Sequence, residues 1–138
     1  MKFNRNDLNQ ELLHARTEEE AKHIFSKEST RQGRTYEQVY DTCLYGQSAE
    51  FYLIQFANFK DDPRPYKDVF TPVGKAAEIK VTEGHYYVPY VIKRCEDYAK
   101  EKWRQYPAIV YIFIGDKSSL DYNLYGVYHW NGKNFIKE

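Results

Sequence analysis

The stretch that decides the fold runs from Lys67 to Val81 and reads KDVFTPVGKAAEIKV. A short apolar run follows Asp68, a Pro-Val-Gly turn ends it, and a second apolar run carries Glu78, Ile79 and Lys80. Residues i and i+2 of a strand point to the same face, so Glu78 and Lys80 are expected to project together, with Ile79 buried opposite. If the two strands pair across the turn, Asp68 comes near Glu78. Two carboxylates beside one ammonium group suit a divalent cation and its attacking water, and indicate metal-assisted cleavage of a phosphodiester.

The composition bounds the class of protein. The chain has 138 residues, enough for one domain with one hydrophobic core. Its 20 basic and 20 acidic residues give a formal net charge of +0, which counts against tight non-specific DNA binding but leaves a local basic face open. Aromatic residues are numerous, with 14 Tyr, 8 Phe and 2 Trp. Most are expected in the core, although tyrosine also suits a wet concave surface or an interface.

The cysteines and the apolar runs indicate in which cellular compartment the protein is expected. Cys43 and Cys95 have neither CxxC spacing nor a nearby histidine pair, which argues against a structural zinc site and fits a reducing intracellular setting. The N-terminus lacks an apolar signal core, and no apolar run approaches the ~20 residues of a membrane span. A cytoplasmic protein without membrane contact is expected. Neither a Walker-type loop nor a dinucleotide glycine fingerprint is present, so no nucleotide cofactor is expected.

Periodicity predicts an alternation of helices and strands. Asn6 or Asp7 is expected to cap a helix to Ala15, and Thr17 with Glu20 forms a capping box for a second helix. The other expected elements are a helical region from Thr35 with a break near Gly46, a loop at 58–65, strands at 66–71 and 76–82, a helix at 89–106 whose buried stripe includes Trp103, an apolar central strand at 108–114, and a hairpin of 126–130 and 133–136 about Asn131-Gly132.

This order indicates an α/β protein with a mixed sheet flanked by helices. One domain, 1–138, is expected to consist of an N-terminal helical extension at 1–34, a core at 35–115 and a C-terminal β-hairpin at 116–138.

Several of these residues together resemble a known family. The segment Gly46-Gln47-Ser48-Ala49-Glu50 on a helix, then Asp68, then Glu78-Ile79-Lys80, resembles the PD-(D/E)XK nuclease superfamily. The resemblance covers roughly 35–115 and implies a restriction-endonuclease-like fold. Lys67 stands where the motif's name has proline.

The resemblance also implies a function and a metal. Asp68 and Glu78 would be direct ligands of Mg²⁺, with Mn²⁺ as a possible substitute, and the Ile79 carbonyl would be a third. Glu50 would hold a second metal or orient a water. Lys80 would position or help to deprotonate the attacking water. The implied protein is a Mg²⁺-dependent DNA endonuclease of the compact type found in phages and mobile elements, acting in the host cytoplasm and expected as a homodimer.

Basic residues elsewhere are candidates for contact with DNA phosphate. They are Arg31 and Arg34 before the first core helix, His85 after the second strand, and Lys93, Arg94, Lys100, Lys102 and Arg104 on the helix at 89–106. For each an ordinary role stays open: a solvated connector, a surface loop histidine, or a helix face of ion pairs with Glu96 and Asp97.

Other functions stay open as well. One is a non-catalytic nuclease-fold module that binds DNA or a protein partner. Another is an interaction or inhibitor protein that uses exposed tyrosines as anchors. An RNA endonuclease with the same metal site is a third.

Overall fold

A computed structural model describes residues 1–102 and 105–138. The helices are α1 (Gln10–Phe25), α2 (Glu28–Arg31), α3 (Tyr36–Phe56) and α4 (Val88–Glu101), with 3-10 turns at Arg5–Asp7 and His85–Tyr87. The strands are β1 (Lys2–Asn4), β2 (Lys60–Asp61), β3 (Val69–Phe70), β4 (Ala76–Thr82), β5 (Ile109–Gly115), β6 (Asp121–Trp130) and β7 (Phe135–Lys137).

The strands form one mixed sheet. Its order is β1-β6-β5-β4-β3-β2, and β7 pairs with the far part of β6. Only the central pair β4 and β5 is parallel, and α4 makes the crossover between these two strands. The expected α/β class, with a mixed sheet flanked by helices, is confirmed.

Helices cover both faces of the sheet, and β5 shows this directly. Ile109 and Phe113 join the core cluster that includes residues of α1 and α3, whereas Val110 and Ile112 join the cluster built on α4. A strand covered on both sides needs apolar residues at every position, which explains the continuous apolar run predicted as a central strand.

The N-terminal region differs from the expectation. Thr17 does not cap a second helix: it lies inside the single helix α1, buried, and its hydroxyl donates to the Leu13 carbonyl at 2.7 Å. That bond satisfies the hydroxyl without ending the helix, so the capping-box pattern misled. The cap of α1 is Asn9, which accepts from the Leu12 amide. Helix α3 runs through Gly46 without a break.

Three strands also differ from the expected pattern. Strand β1 lies within the segment expected to be helical, and Phe3 pairs with Tyr122 of β6. Strand β2 occupies part of the expected loop at 58–65. Strand β6 starts at Asp121 and pairs along β5, so the C-terminal region belongs to the main sheet.

The turn between β6 and β7 is longer than the expected two residues. Trp130 pairs with Phe135, which leaves 131–134 as the loop. The Asn131 side chain accepts from the amides of Lys133 and Asn134 at 2.9 and 2.8 Å, so it closes an Asx-type turn in place of a two-residue Asn-Gly turn.

The predicted helix at 89–106 ends earlier, at Glu101, and Tyr106 is not part of it. Trp103 and Arg104, which were expected on its buried and basic faces, lie outside the described residues. None of the helices in the described part of the chain has the length and apolar character needed to cross a membrane.

Candidate active site

Asp68 immediately precedes β3 and lies opposite Glu78. The Val69–Ala77 pair brings the two strands together, and the Asp68 amide donates to the Ala77 carbonyl at 3.2 Å. Because β3 has only two residues, the Asp68 carboxylate takes the next position along β4 and accepts from the Ile79 amide at 2.7 Å. In an antiparallel ladder the N–H and C=O of one residue face the same neighbour. The Ile79 carbonyl therefore faces the edge at which Asp68 lies.

Glu78 and Lys80 share the face of β4 that is covered by α4, and Ile79 is buried on the other face. The Lys80 Nζ lies 3.5 Å from Glu78 Oε1, with 11% of the Glu78 side chain and 37% of the Lys80 side chain exposed. Both line a cavity of about 300 Å³, which we call the β4–α4 cavity; it is lined by Tyr66, Lys67, Asp68, Glu78, Lys80, Arg94, Tyr98 and Tyr106.

Burial sets the electrostatics of this pair. Burial raises the pKa of the Glu78 carboxyl, repulsion from Asp68 raises it further, and Lys80 only partly offsets the two effects. Burial and the neighbouring Asp68 charge both disfavour the ionised form of Glu78. A positive charge beside Glu78 would favour its ionisation.

Glu50 approaches Asp68 from the other side. It extends from α3 into a second cavity of about 540 Å³, whose lining includes Asp61, Glu20 and Asp68 but not Glu78 or Lys80. Burial raises the pKa of Glu50 well above its usual range, Asp68 and Glu20 add to the rise, and Arg16 opposes it. Since Asp68 lines both cavities, it is the residue at which the two carboxylates meet.

The oxygen atoms around Asp68 suit a hard cation. Within 1–102 and 105–138, no three His, Cys, Asp or Glu side chains are already gathered into a complete metal-binding group. The available donors are carboxylates on both sides of Asp68 and a backbone carbonyl, which are the ligand types that Mg²⁺ prefers. Burial and the charge of Asp68 raise the pKa of both Glu50 and Glu78.

Comparison of the chain with protein-family models, with curated proteins and with solved structures gives no match. The functional interpretation therefore rests on the geometry and chemistry around Asp68.

The two arginines expected as a flexible arm are held locally. Arg31 pairs with Glu28 on α2, and its guanidinium lies 4.9 Å from the centre of the Phe25 ring. Arg34 donates to the backbone carbonyls of Arg31 and Thr30 at 3.0 and 2.8 Å. Neither lines the β4–α4 cavity.

Of the other candidates for phosphate contact that lie within the described residues, only Arg94 lines that cavity. His85 is exposed on the turn after β4, and its ring lies 4.2 Å from that of Tyr86. Lys93 is exposed and pairs with Asp97 at 3.0 Å. The structure thus brings Asp68, Glu78, Lys80 and Arg94 together.

Tyr106 is a site residue that sequence reasoning missed. It is buried and lines the β4–α4 cavity, and its hydroxyl is a buried side-chain group without a hydrogen-bond partner among the described residues. The Cys95 thiol lies beside it. Tyr106 was expected at the end of a helix, where no pattern marks a cavity residue.

Arg16 was also missed. It makes a bidentate pair with Asp61 at 2.8 and 2.9 Å, and it lies 3.9 Å from Glu50. The Gln47 side chain accepts from it at 3.1 Å. These contacts join α1, α3 and β2, and no local spacing in the sequence signals them.

Proposed function

We propose that the protein is a metal-dependent DNA endonuclease that hydrolyses phosphodiester bonds at Asp68, Glu78 and Lys80, with Glu50 in support. The observation that carries the proposal is the position of Asp68 between two buried carboxylates, with the Lys80 ammonium 3.5 Å from Glu78. The order of elements from α3 through β3, β4, α4 and β5 follows that of the restriction-endonuclease-like fold and supports the resemblance to the PD-(D/E)XK superfamily.

Asp68, Glu78 and the Ile79 carbonyl would hold Mg²⁺, or Mn²⁺ in its place, and Glu50 would hold a second ion or orient a water. A bound ion of this type lowers the pKa of a coordinated water and neutralises charge on the phosphate.

The protein's own groups supply positioning and charge. The Lys80 ammonium donates hydrogen bonds to the attacking water or to a phosphate oxygen and offsets negative charge that develops there. Arg94 holds a phosphate. In the reaction a bond forms between the water oxygen and phosphorus, the bond to one ester oxygen breaks, and that leaving oxygen takes up a proton.

Nicking of supercoiled plasmid tests the proposal, with and without Mg²⁺ or Mn²⁺. Glu78→Ala and Lys80→Ala are each expected to lower metal-dependent cutting by about 100-fold or more, because both remove charge at the reacting phosphate. The matched controls are Glu83→Ala and Lys117→Ala, which break an exposed ion pair of 2.7 Å outside the cavity. The controls are expected to cut at the wild-type rate, and circular dichroism checks that every variant is folded.

Cutting that survives both site substitutions would contradict the proposed site. Absence of metal-dependent cutting of plasmid, single strands, branched DNA and RNA alike would contradict the nuclease and favour a binding module.

A further inference from the structure

The exposed face of α4 carries a run of aromatic and basic residues. Tyr90, Arg94 and Tyr98 are spaced four residues apart, so they lie along one side of the helix. Tyr90 is 72% exposed and Tyr98 38% exposed. We call these three residues the aromatic stripe. From first to last it spans about 12 Å along the helix axis, room for a short run of nucleotides.

The aromatic stripe leads into the β4–α4 cavity. Arg94 and Tyr98 line that cavity together with Glu78 and Lys80. Tyr66 lines the same cavity, 43% exposed, and its backbone φ of 63° is uncommon for a large side chain. Unfavourable backbone conformations persist where the surrounding structure imposes them, frequently at ligand sites.

The Tyr98 ring is held in place from behind. It stacks on the Tyr106 ring with centroids 5.9 Å apart and planes 9° apart. A ring that is already ordered loses little conformational freedom when a ligand stacks on its open face. The Tyr106 ring is itself buried, so it supports the Tyr98 ring from the side of the core.

The charge around the aromatic stripe favours binding of single-stranded over double-stranded DNA. Arg94 forms no ion pair with any residue in the described part of the chain, whereas Lys93 pairs with Asp97 and Lys102 with Glu101. With a net charge of +0, the protein lacks the broad basic surface by which proteins hold duplex phosphates. A duplex hides the faces of its bases, but an unpaired strand presents them for stacking.

We propose that the aromatic stripe stacks unpaired bases and that Arg94 holds the phosphate between them, so that the substrate is single-stranded or locally unpaired DNA. The cleavage part of this inference rests on the proposed nuclease function. The binding part does not, because strand binding can be measured without cutting.

Fluorescence anisotropy in EDTA measures that binding. The probes are a labelled oligothymidylate of about 12 nucleotides, within the usual site sizes, and a duplex of equal length. Tyr90→Ala and Tyr98→Ala are each expected to weaken strand binding about tenfold, the typical loss per stacking ring. Tyr98→Phe keeps the ring and is expected to bind as wild type. Tyr125→Ala removes a tyrosine of similar exposure on β6, outside the cavity, and serves as the control.

Equal affinity for the single strand and the duplex would overturn the inference. So would a loss of affinity in Tyr98→Phe as large as the loss in Tyr98→Ala. A loss of affinity in Tyr125→Ala as large as the loss in Tyr90→Ala or Tyr98→Ala would overturn it as well. If the protein binds single strands through these rings but cuts no substrate, the nuclease proposal is wrong and the strand-binding proposal holds. If the protein cuts plasmid but does not prefer single strands to duplex, the strand-binding proposal is wrong and the nuclease proposal holds.

Discussion

At the scale of single residues, Asp68 joins the two halves of the candidate site. Its carboxylate accepts from the Ile79 amide at 2.7 Å, which holds it in place, and its charge raises the pKa of Glu78 on one side and of Glu50 on the other. Functional sites typically contain residues that serve ligand binding and lower the stability of the folded state.

Asp68→Asn tests this cost. The amide oxygen can still accept from Ile79, but the repulsion on Glu50 and Glu78 is gone, so we expect the metal-free protein to unfold about 2–4 °C higher, which corresponds to roughly 1 kcal/mol. Added Mg²⁺ is expected to raise the Tm of the wild type and not that of the variant. Differential scanning fluorimetry measures both, with Asp97→Asn on the exposed side of α4 as control. A lower Tm, or an equal response to Mg²⁺, would count against the role of Asp68.

Tyr106→Phe separates stability from function in the same way. Removing a buried hydroxyl without a partner among the described residues relieves a desolvation cost, so we expect a gain of about 1 kcal/mol in urea unfolding. Cleavage is expected to stay at the wild-type rate, because the hydroxyl is buried out of reach of a substrate and the ring that stacks on Tyr98 is kept. Tyr122→Phe is the contrasting variant: its hydroxyl accepts from Arg5 at 2.8 Å, and its removal is expected to destabilise. A loss of stability in Tyr106→Phe would mean that its hydroxyl has a partner.

At the scale of secondary-structure elements, strands differ in how far their formation depends on nearby sequence. Strand β4 was predicted at 76–82 and found at Ala76–Thr82, because a turn precedes it and its apolar residues are continuous. Strand β3 was predicted at 66–71 and is shorter, at Val69–Phe70. Strands β1 and β2, with three and two residues, were not predicted, and β1 exists through pairing with the distant β6. Such short strands carry no periodicity of their own, so no local pattern identifies them.

The packing of β5 on β6 and α3 gives a prediction at this scale. A Cβ on Gly115 would lie 2.7 Å from the buried Tyr122 ring and 3.1 Å from the Tyr45 ring, so Gly115→Ala is expected to destabilise by about 1–3 kcal/mol. Gly126→Ala is the comparison, with a smaller loss expected, because its Cβ would meet the flexible end of Lys137 at 2.7 Å, which can move aside, and the Tyr128 ring only at 3.2 Å. Urea unfolding of both variants checks this, and equal losses would contradict it.

At the scale of the whole molecule, the balance of 20 basic and 20 acidic residues limits how nucleic acid is held. The cations that line the β4–α4 cavity are Lys67, Lys80 and Arg94. Three phosphate contacts on a single strand predict a slope of about −2 for log K against log salt. Anisotropy titrations over a range of salt measure it. A slope steeper than about −4 would show that more of the surface takes part than this cavity and the aromatic stripe.

The sequence by itself determined the local half of the candidate site. Glu78 and Lys80 share a face because strand residues alternate, and Asp68 meets Glu78 because the turn between β3 and β4 is short. Only the tertiary structure decided the rest. Glu50 reaches Asp68 from the opposite side of the sheet through the packing of α3, Tyr98 meets the site through the packing of α4, and Tyr106 meets it from the segment before β5. These contacts depend on which distant surfaces are buried together, a property of the whole chain that no short stretch of sequence carries.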